Sequence, residues 1–221
     1  MSEPEVNSAV NSRPFERFHE YTTANVSDVM DSMGVLDPGI RPIVPGGTMV
    51  GIAFTVRAYP GSILSVHKAL TEASPGDVLV VDGEGDVRAG ALFGEIMAKE
   101  CLRRGYAGIV VDGAVRDVNG LIEEGFPVFA RTVTPRVGTN RRLGATREAI
   151  SCGGVVVHQG DIIIGDDNGV VAIPRGKEDD VLAALEALRI KEDRLVSAIE
   201  EGTYLAETLG LRDAFDDDKG A

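Results

Sequence analysis

Three charged side chains near the middle of the chain have the types and the spacing of a small active site. Glu95 follows Gly94 where a helix is predicted to begin, and Arg116 and Asp117 stand after twenty intervening residues, just past a predicted buried strand. In a strand–helix–strand unit with parallel strands, the start of the helix and the end of the second strand meet at one edge of the sheet. The spacing therefore predicts that these side chains gather at that edge.

The chemistry of this group suits a small carboxylate substrate. Backbone N–H groups in the first helical turn, around Ile96 and Met97, can hold an anion together with the helix dipole. The planar guanidinium of Arg116 can bind a carboxylate or a ketone oxygen. Glu95 and Asp117 offer the hard oxygen ligands that Mg²⁺ or Mn²⁺ prefers, directly or through water. We expect such a site to polarise a 2-keto acid.

Each of these residues also has a purely structural interpretation. Glu95 could form an ion pair with Lys99, which lies one helical turn further on. Asp112-Gly113 is a common turn signal. Arg116-Asp117 could be a surface ion pair or a helix cap. Only the combined spacing favours an active site.

Helical and strand patterns alternate along the chain, which favours an α/β domain. We expect one domain over residues 13–210, with flexible tails at 1–12 and 211–221. A glycine-rich loop over residues 83–94 leads into the helix that carries Glu95. The predicted elements are short helices within 15–33 with Thr23 or Asn25 as a cap, strand 48–59, helix 62–73, strand 77–81, helix 95–104, strand 108–111, short strands at 128–130, 154–157, 161–164 and 170–173, and a long helix over 178–200.

The long last helix carries one acidic residue on an apolar face, and this residue is Glu192. An acidic side chain on such a face is costly to bury unless it is paired. Glu192 could mark the exposed edge of the stripe, or it could reach Arg189 or Arg194. Alternatively, this face docks on another subunit and delivers Glu192 to the site there. The apolar residues of the stripe are Val181, Leu185, Leu188, Leu195 and Ile199.

The composition of the chain argues against several classes of function. Its net charge is −13, from 35 acidic and 22 basic residues, so its surface should repel nucleic-acid phosphates. No apolar run approaches the roughly 18 residues of a membrane span. Cys101 and Cys152 are the two cysteines, and we interpret them as buried thiols in a reducing compartment. We therefore expect a cytoplasmic protein without nucleic-acid or membrane partners.

Several motifs of the chain resemble the RraA-like superfamily. The resemblance covers nearly all of residues 23–192, and its central motif is specific. In this superfamily are the divalent-metal 4-hydroxy-4-methyl-2-oxoglutarate and 4-carboxy-4-hydroxy-2-oxoadipate aldolases and the regulators of ribonuclease E activity. The motifs are PGDVLVVDG at 75–83, Gly94-Glu95, Gly105, Gly108, DGAVRD at 112–117, PVFA at 127–130, Gly160-Asp161 and DDNGVV at 166–171.

The resemblance implies a fold, an assembly and a set of residue roles. The fold is a ββα-sandwich with a mixed central sheet, similar to the swivelling phosphohistidine domain, and it assembles as a homotrimer or homohexamer with active sites between subunits. The implied roles are metal binding by Asp117, retention of metal-bound water by Glu95, substrate binding by Arg116, binding of the pyruvyl carboxylate by the amides of Ile96 and Met97 next to Gly94, and completion of the neighbouring subunit's site by Glu192.

The activity that the resemblance implies is a class II retro-aldol cleavage with Mg²⁺ or Mn²⁺. A 4-hydroxy-2-oxo acid such as 4-hydroxy-4-methyl-2-oxoglutarate would give pyruvate and a second keto acid. Oxaloacetate decarboxylation would accompany this lyase activity, because both reactions pass through the pyruvate enolate. The alternative is a non-catalytic binding protein of the ribonuclease E regulator type, and the intact Asp117 favours the enzyme. Two positions depart from many relatives, since Ser62 stands where they have Asp or Asn and Glu95 where some have Asp.

Overall fold

The structure is a computed structural model that describes residues 14–217. The predicted tail at 1–12 lies outside the described residues, as does the part of the 211–221 tail beyond residue 217. The helices are a 3₁₀ helix (Pro14–Glu20), α1 (Thr23–Val29), α2 (Leu64–Glu72), α3 (Glu95–Arg104), α4 (Val118–Glu124), α5 (Glu178–Glu200), α6 (Leu205–Thr208) and α7 (Arg212–Asp217). The strands are β1 (Arg41–Pro42), β2 (Met49–Arg57), β3 (Asp77–Asp82), β4 (Gly108–Val115), β5 (Val128–Val133), β6 (Ala145–Thr146), β7 (Ile150–Cys152), β8 (Val155–Val157), β9 (Ile162–Asp166) and β10 (Gly169–Ile173).

The main sheet is mixed and has its parallel strands in the middle. Its strand order is β1-β5-β4-β3-β2-β9-β10, and β6 also pairs with β2. Strands β2, β3, β4 and β5 run parallel to one another, whereas β9 runs antiparallel to both of its neighbours, β2 and β10. The central strands are rich in valine and isoleucine because both faces of a parallel sheet are covered. The predicted α/β class with a mixed central sheet is confirmed.

One short segment connects the two ends of this sheet. Val35 forms a bridge with Val171 of β10, and a few residues later Arg41 pairs with Ala130 of β5. The sheet is therefore nearly closed into a barrel. Its interior holds apolar side chains that include Met49, Val80, Val110, Phe129 and Ile163.

Helices cover the outside of the sheet on two sides. Helices α2 and α3 pack their buried residues against the outer face of β2 to β5, where Phe54, Leu79 and Ile109 lie. The 3₁₀ helix, α1 and the first half of α5 pack against β9 and β10. Helix α3 bears most directly on the predicted site, because it begins at the carboxyl edge of the parallel strands. None of the described helices has both the length and the hydropathy required to cross a bilayer.

Strand β4 is longer than predicted and contains Asp112 and Gly113. The prediction that these two residues form a turn was therefore wrong. The pairing of β4 with β5 shifts its register between Val111 and Ala114, which accommodates them inside the strand. The Asp112 carboxylate is paired with the Arg131 guanidinium of the neighbouring strand and accepts a hydrogen bond from the Gly153 amide at 2.6 Å. The aspartate is thus a buried structural anchor.

The N-terminal cap of α1 is Thr22, and neither Thr23 nor Asn25 occupies that position. The Thr22 hydroxyl accepts a hydrogen bond from the Asn25 amide, and the Asn25 side chain accepts one from the Thr22 amide, both at 3.2 Å. Thr23 instead donates to the Asp166 carboxylate from its amide (2.8 Å) and its hydroxyl (2.6 Å). These bonds fix α1 to the end of β9.

Candidate active site

Arg116 and Asp117 follow directly after β4 and form an ion pair at the sheet edge. The Arg116 Nε and Asp117 Oδ2 atoms are 3.3 Å apart, and both side chains remain more than a third exposed. Asp117 occupies the position before α4 with φ 62° and ψ 44°, in the left-handed region. Aspartate tolerates this region better than most residues, but the conformation is still unusual. Its carboxylate forms no capping hydrogen bond with α4 and is therefore available for another partner.

The start of α3 lies against this ion pair. Phe93 forms a parallel β-bridge with Val115, and the Arg116 amide donates a hydrogen bond to the Phe93 carbonyl oxygen at 3.0 Å. A Cβ atom added to Gly94 would lie 2.5 Å from Asp117 Oδ2 and 3.2 Å from Arg116 Cγ. The structure thus brings Gly94, Arg116 and Asp117 together as the spacing predicts, and a side chain at position 94 would have to displace the Asp117 carboxylate.

A small cavity of about 60 Å³ opens at this place. Arg116 and Asp117 supply its charged end, and the rest of its wall is largely apolar. A pocket of this kind, with few polar groups converging on one end, is typical of small-ligand sites. The lining residues are Ile63, Ala91, Phe93, Gly94, Ile96, Met97, Arg116, Asp117, Val137 and Gly138.

The two amides predicted to bind an anion differ in their hydrogen bonding. The Met97 N–H donates to the Gly94 carbonyl oxygen at 3.1 Å, so it is already engaged. The Ile96 N–H has no hydrogen-bond acceptor within the described part of the chain, as expected for the first turn of a helix. The Ile96 side chain is 80% exposed at the rim of the cavity. The Ile96 amide is therefore the better candidate for the carboxylate site.

The Glu95 side chain does not line the cavity but lies beside it. Its Oε1 accepts a hydrogen bond from Lys99 Nζ at 2.6 Å, which is the ion pair that the structural interpretation of Glu95 anticipated. Lys99 also pairs with Glu124 Oε1 at 3.2 Å. The hydrogen bonds from Lys99 to Glu95 and Glu124 raise the pKa of its ammonium group above the ordinary lysine value. The Glu95 carboxylate thus lies next to the site and is paired with the Lys99 ammonium group.

Comparison with known proteins places this geometry in a family. A family model described as RraA-like, Aldolase/RraA, matches residues 23–172. The chain belongs to the RraA-like family. An RraA-like relative from Halalkalibacterium halodurans, provisionally named 4-hydroxy-4-methyl-2-oxoglutarate aldolase, is 37% identical over 185 residues, which are 84% of this chain and 88% of the relative.

Solved structures of other proteins have the same fold. An uncharacterised protein from Pseudomonas syringae superposes with a TM-score of 0.79 at 30% identity, covering 88% of this chain and 95% of its own. The RNA-processing inhibitor RraA from Thermus thermophilis superposes with a TM-score of 0.64, also at 30% identity, covering 71% of this chain and 96% of its own. The family therefore includes proteins named as aldolases and proteins named as inhibitors.

Glu192 of this RraA-like chain lies away from the cavity of its own protomer. It is exposed on α5, where the Asn25 amide group lies 3.4 Å from both carboxylate oxygens. The apolar stripe of α5 is buried at Val181 and Leu185, but Ile199 at its far end is 47% exposed. Leu188 and Leu195, between these two ends, are partly buried. The predicted delivery of Glu192 to a neighbouring subunit stays a prediction.

The donor atoms at the site suit a hard cation that needs few protein ligands. No three histidine, cysteine or carboxylate side chains cluster as a metal site anywhere in residues 14–217. Asp117 offers a carboxylate that forms no capping hydrogen bond, and Glu95 is the residue after Gly94, which lines the cavity. Mg²⁺ is often held by one or two carboxylates and keeps several waters. The residues of this RraA-like site therefore fit Mg²⁺ or Mn²⁺ better than zinc, which favours a closed set of nitrogen and sulfur ligands.

Residues of a distant loop complete the cavity, and no role was predicted for them. Val137 and Gly138 form the wall opposite α3, and the Ala91 amide donates to the Arg136 carbonyl oxygen at 3.0 Å. A signal for this loop exists in the sequence, since residues 132–147 contain no acidic residue in a chain of charge −13. The same stretch has four exposed arginines, none of which pairs with a carboxylate of the described residues: Arg136, Arg141, Arg142 and Arg147.

Proposed function

We propose that this chain is a divalent-metal-dependent aldolase, a lyase that cleaves a 4-hydroxy-2-oxo acid into pyruvate and a second keto acid. One observation carries the proposal. Arg116 and Asp117, with Nε and Oδ2 3.3 Å apart, line a cavity together with Ile96, whose amide has no hydrogen-bond acceptor among residues 14–217. A cationic fork, a carboxylate and a free N–H group at one point are what a 2-oxo carboxylate needs for binding.

A divalent cation held by Asp117 would supply the Lewis acid that polarises the 2-oxo group. The chain itself binds and orients the substrate. Arg116 holds the carboxylate and the 2-oxo oxygen, and the Ile96 amide donates to the carboxylate. Because these donors are fixed before the substrate arrives, they stabilise the charge that develops on the oxygen during cleavage.

Bond cleavage requires movement of one proton and one electron pair. The C4 hydroxyl of the substrate gives its proton to an ordered water that Glu95 orients as a hydrogen-bond acceptor. The C3–C4 electron pair then enters the pyruvate enolate, while C4 becomes the carbonyl carbon of the second keto acid. Arg116 balances the enolate charge until C3 takes up a proton and pyruvate leaves. Loss of CO₂ from oxaloacetate gives the same enolate, so decarboxylase activity belongs to the proposal.

The proposed active unit is a homotrimer or homohexamer. Ile199 at the end of the α5 stripe, 47% exposed, and Ile96, 80% exposed, are apolar residues that suit burial against a second copy. In such an assembly Glu192 would join the site of the neighbouring subunit as a further carboxylate. This arrangement would explain why the donor set within one protomer is sparse.

The proposed substrate carries a second carboxylate beyond the pyruvyl end. The loop that contributes Val137 and Gly138 to the cavity bears arginines that pair with no carboxylate of residues 14–217, among them Arg136 and Arg142. The Arg142 guanidinium stacks 3.7 Å from the centroid of the Tyr59 ring and so has a defined position. The relative named as a 4-hydroxy-4-methyl-2-oxoglutarate aldolase, which is 37% identical, supports a dicarboxylate of this type.

A test of the proposal measures pyruvate release with a lactate-dehydrogenase-coupled assay. Oxaloacetate and 4-hydroxy-4-methyl-2-oxoglutarate are supplied separately, with Mg²⁺ or with EDTA, and a reaction without protein corrects for spontaneous decarboxylation. We expect release that needs the metal. Asp117→Asn and Arg116→Ala should each abolish it, and the asparagine variant should keep its thermal stability because asparagine also tolerates the left-handed backbone.

The same assay separates the proposed enzyme from the alternative, a non-catalytic binding protein of the ribonuclease E regulator type. The similarity to the Thermus RNA-processing inhibitor is the observation that keeps this alternative in view. A folded protein that releases no pyruvate from either substrate would support it. Release that persists in EDTA and in both variants would exclude the site described above.

A further inference from the structure

The Glu95 side chain rests directly on the backbone of α4. A Cβ atom added to Gly120 would collide with Oε2 and Cδ of Glu95 and would come within 2.6 Å of its Cγ. Three consecutive atoms of one side chain therefore occupy the space above this glycine. No other residue type leaves that space free.

Gly120 has no conformational reason of its own to be glycine. It lies inside α4 and is absent from the glycines of this chain that adopt positive φ angles. Glycine is among the least favourable residues in a helix interior, where alanine is the most favourable. The contact with Glu95 supplies the missing reason.

A second contact ties Glu95 to the other end of the same helix. Lys99 bridges Glu95 on α3, at 2.6 Å, and Glu124 in the last turn of α4, at 3.2 Å. Helix α4 begins directly after Asp117. The element that presents Asp117 is therefore also the element against which Glu95 is held.

We infer that Gly120 is a positioning residue for the Glu95 carboxylate, and that it sets the distance between Glu95 and Asp117. This inference rests on the proposed function, in which Glu95 orients a water molecule beside the cation. Glu95 is the longer of the two acidic residues, and the open space at Gly120 accommodates its additional length. A side chain at position 120 would push the carboxylate off α4 and away from its water.

The experiment is a double-mutant cycle with Gly120→Ala and Glu95→Ala. The second substitution removes every atom that collides with the new Cβ, so it should cancel the effect of the first. We measure Mn²⁺ affinity by electron paramagnetic resonance, the thermal midpoint, and kcat and KM for pyruvate release. Asn119→Ala, at an exposed neighbour on the same helix, is the matched control and should change none of these.

We expect Gly120→Ala in the wild-type background to weaken Mn²⁺ binding or lower kcat by about 10- to 100-fold, the usual cost of disturbing a residue behind a metal site. KM should change little, because Arg116 still binds the substrate. In the Glu95→Ala background the same alanine should change neither Mn²⁺ affinity nor kcat further. It should instead raise the thermal midpoint, since only its better helix propensity remains.

Two results would overturn the inference. One is an equal effect of Gly120→Ala in both backgrounds, which would make the glycine a general packing requirement. The other is a Gly120→Ala variant, with Glu95 intact, whose Mn²⁺ affinity and kcat equal those of the wild-type protein. Failure of the proposed function looks different, because wild-type protein would then bind no Mn²⁺ and release no pyruvate. The thermal midpoint would still test the contact between Gly120 and Glu95, because Gly120→Ala should lower it when Glu95 is present and raise it in the Glu95→Ala background.

Discussion

The Asp117 carboxylate occupies the space that a side chain at Gly94 would need, since Oδ2 lies 2.5 Å from the ideal Cβ position there. Gly94 has φ −165°, an extended conformation open to any residue, so the requirement for glycine is purely steric. The residue before α3 and the residue before α4 therefore touch, and the site depends on that contact.

Gly94→Ala should displace the Asp117 carboxylate. We expect kcat/KM for pyruvate release to fall by about 100-fold, as is found when a small misplacement disturbs a catalytic geometry. The thermal midpoint should also fall, because Gly94 is the N-terminal cap of α3 and alanine is a poorer cap residue than glycine. Asn119→Ala, at an exposed position of α4 that does not line the cavity, is the control. Equal losses in the two variants would contradict this prediction.

Arg116→Lys keeps the positive charge but loses the planar fork. We expect kcat/KM to fall by about 10- to 100-fold, because one charge-assisted hydrogen bond contributes about 1.5–3 kcal/mol. The fall should be similar for oxaloacetate and for 4-hydroxy-4-methyl-2-oxoglutarate, which share the end of the molecule that Arg116 binds. Steady-state kinetics with both substrates provide the measurement. A loss confined to one substrate would place Arg116 elsewhere.

Complementation between inactive variants tests whether Glu192 acts in the neighbouring subunit. Asp117→Asn and Glu192→Ala should each be inactive as pure proteins. If each site takes Asp117 from one protomer and Glu192 from the next, a random equal mixture restores about one quarter of the sites. Co-expression with two different affinity tags, followed by the pyruvate assay, measures this. A mixture that stays inactive would show that both residues must come from the same chain, whereas activity of pure Glu192→Ala would show that Glu192 is not needed.

The bonds between Thr23 and Asp166 should make stability depend on pH. Partial burial alone would raise the Asp166 pKa, but the hydrogen bonds from Thr23 and Asn168 outweigh it and hold the pKa below the ordinary aspartate value. A lowered folded-state pKa means that this stabilisation is present above the unfolded pKa of about 4 and is lost as the pH falls through the folded value.

Thr23→Val removes the hydroxyl donor and keeps the side-chain shape. We expect a loss of about 1–3 kcal/mol in the free energy of unfolding at pH 7, and a smaller loss at pH 3. Urea denaturation at the two pH values measures the difference. Thr71→Val is the control, because the Thr71 hydroxyl donates to the neutral Lys68 carbonyl and should show no such pH dependence. Identical losses of Thr23→Val at both pH values would contradict the argument.

Both cysteines should resist alkylation in the folded protein. Cys101 and Cys152 are free and buried, which confirms their prediction as buried thiols. Burial raises the pKa of Cys101 to about 12 and that of Cys152 well above its ordinary value. Because the thiolate is the reactive form, iodoacetamide at pH 8 should modify them only after urea is added. Mass spectrometry of intact protein checks this, and rapid modification without urea would be the contrary result.

Local patterns were sufficient to predict the elements that position the site. Helix α3 has the predicted limits because Gly94 precedes it and Gly105, with φ 73°, closes it in a left-handed cap. Helix α5 also has its predicted limits, since its apolar stripe has helical spacing. The meeting of Gly94 with Arg116-Asp117 followed from strand–helix–strand topology alone.

Features that depend on distant partners could not be predicted in this way. Asp112-Gly113 is a turn by local preference, but pairing with Arg131 of β5 keeps it inside a strand. Helix α4 was missed because a left-handed Asp117 precedes it without a capping hydrogen bond. The wall at Val137 comes from a loop twenty residues beyond the motif, and its arrival at the cavity depends on how the whole sheet closes.

The left-handed backbone of Asp117 restricts what can replace this residue during evolution. Aspartate, asparagine and glycine are the residues that accept such angles at low cost, so neutral drift at this position has few outcomes. A single-nucleotide change from an aspartate to an asparagine codon would preserve the fold and the pocket while removing the negative charge. The family contains proteins named as aldolases and proteins named as inhibitors. After a gene duplication, a single substitution at this position would convert a copy that cleaves its ligand into one that only binds it.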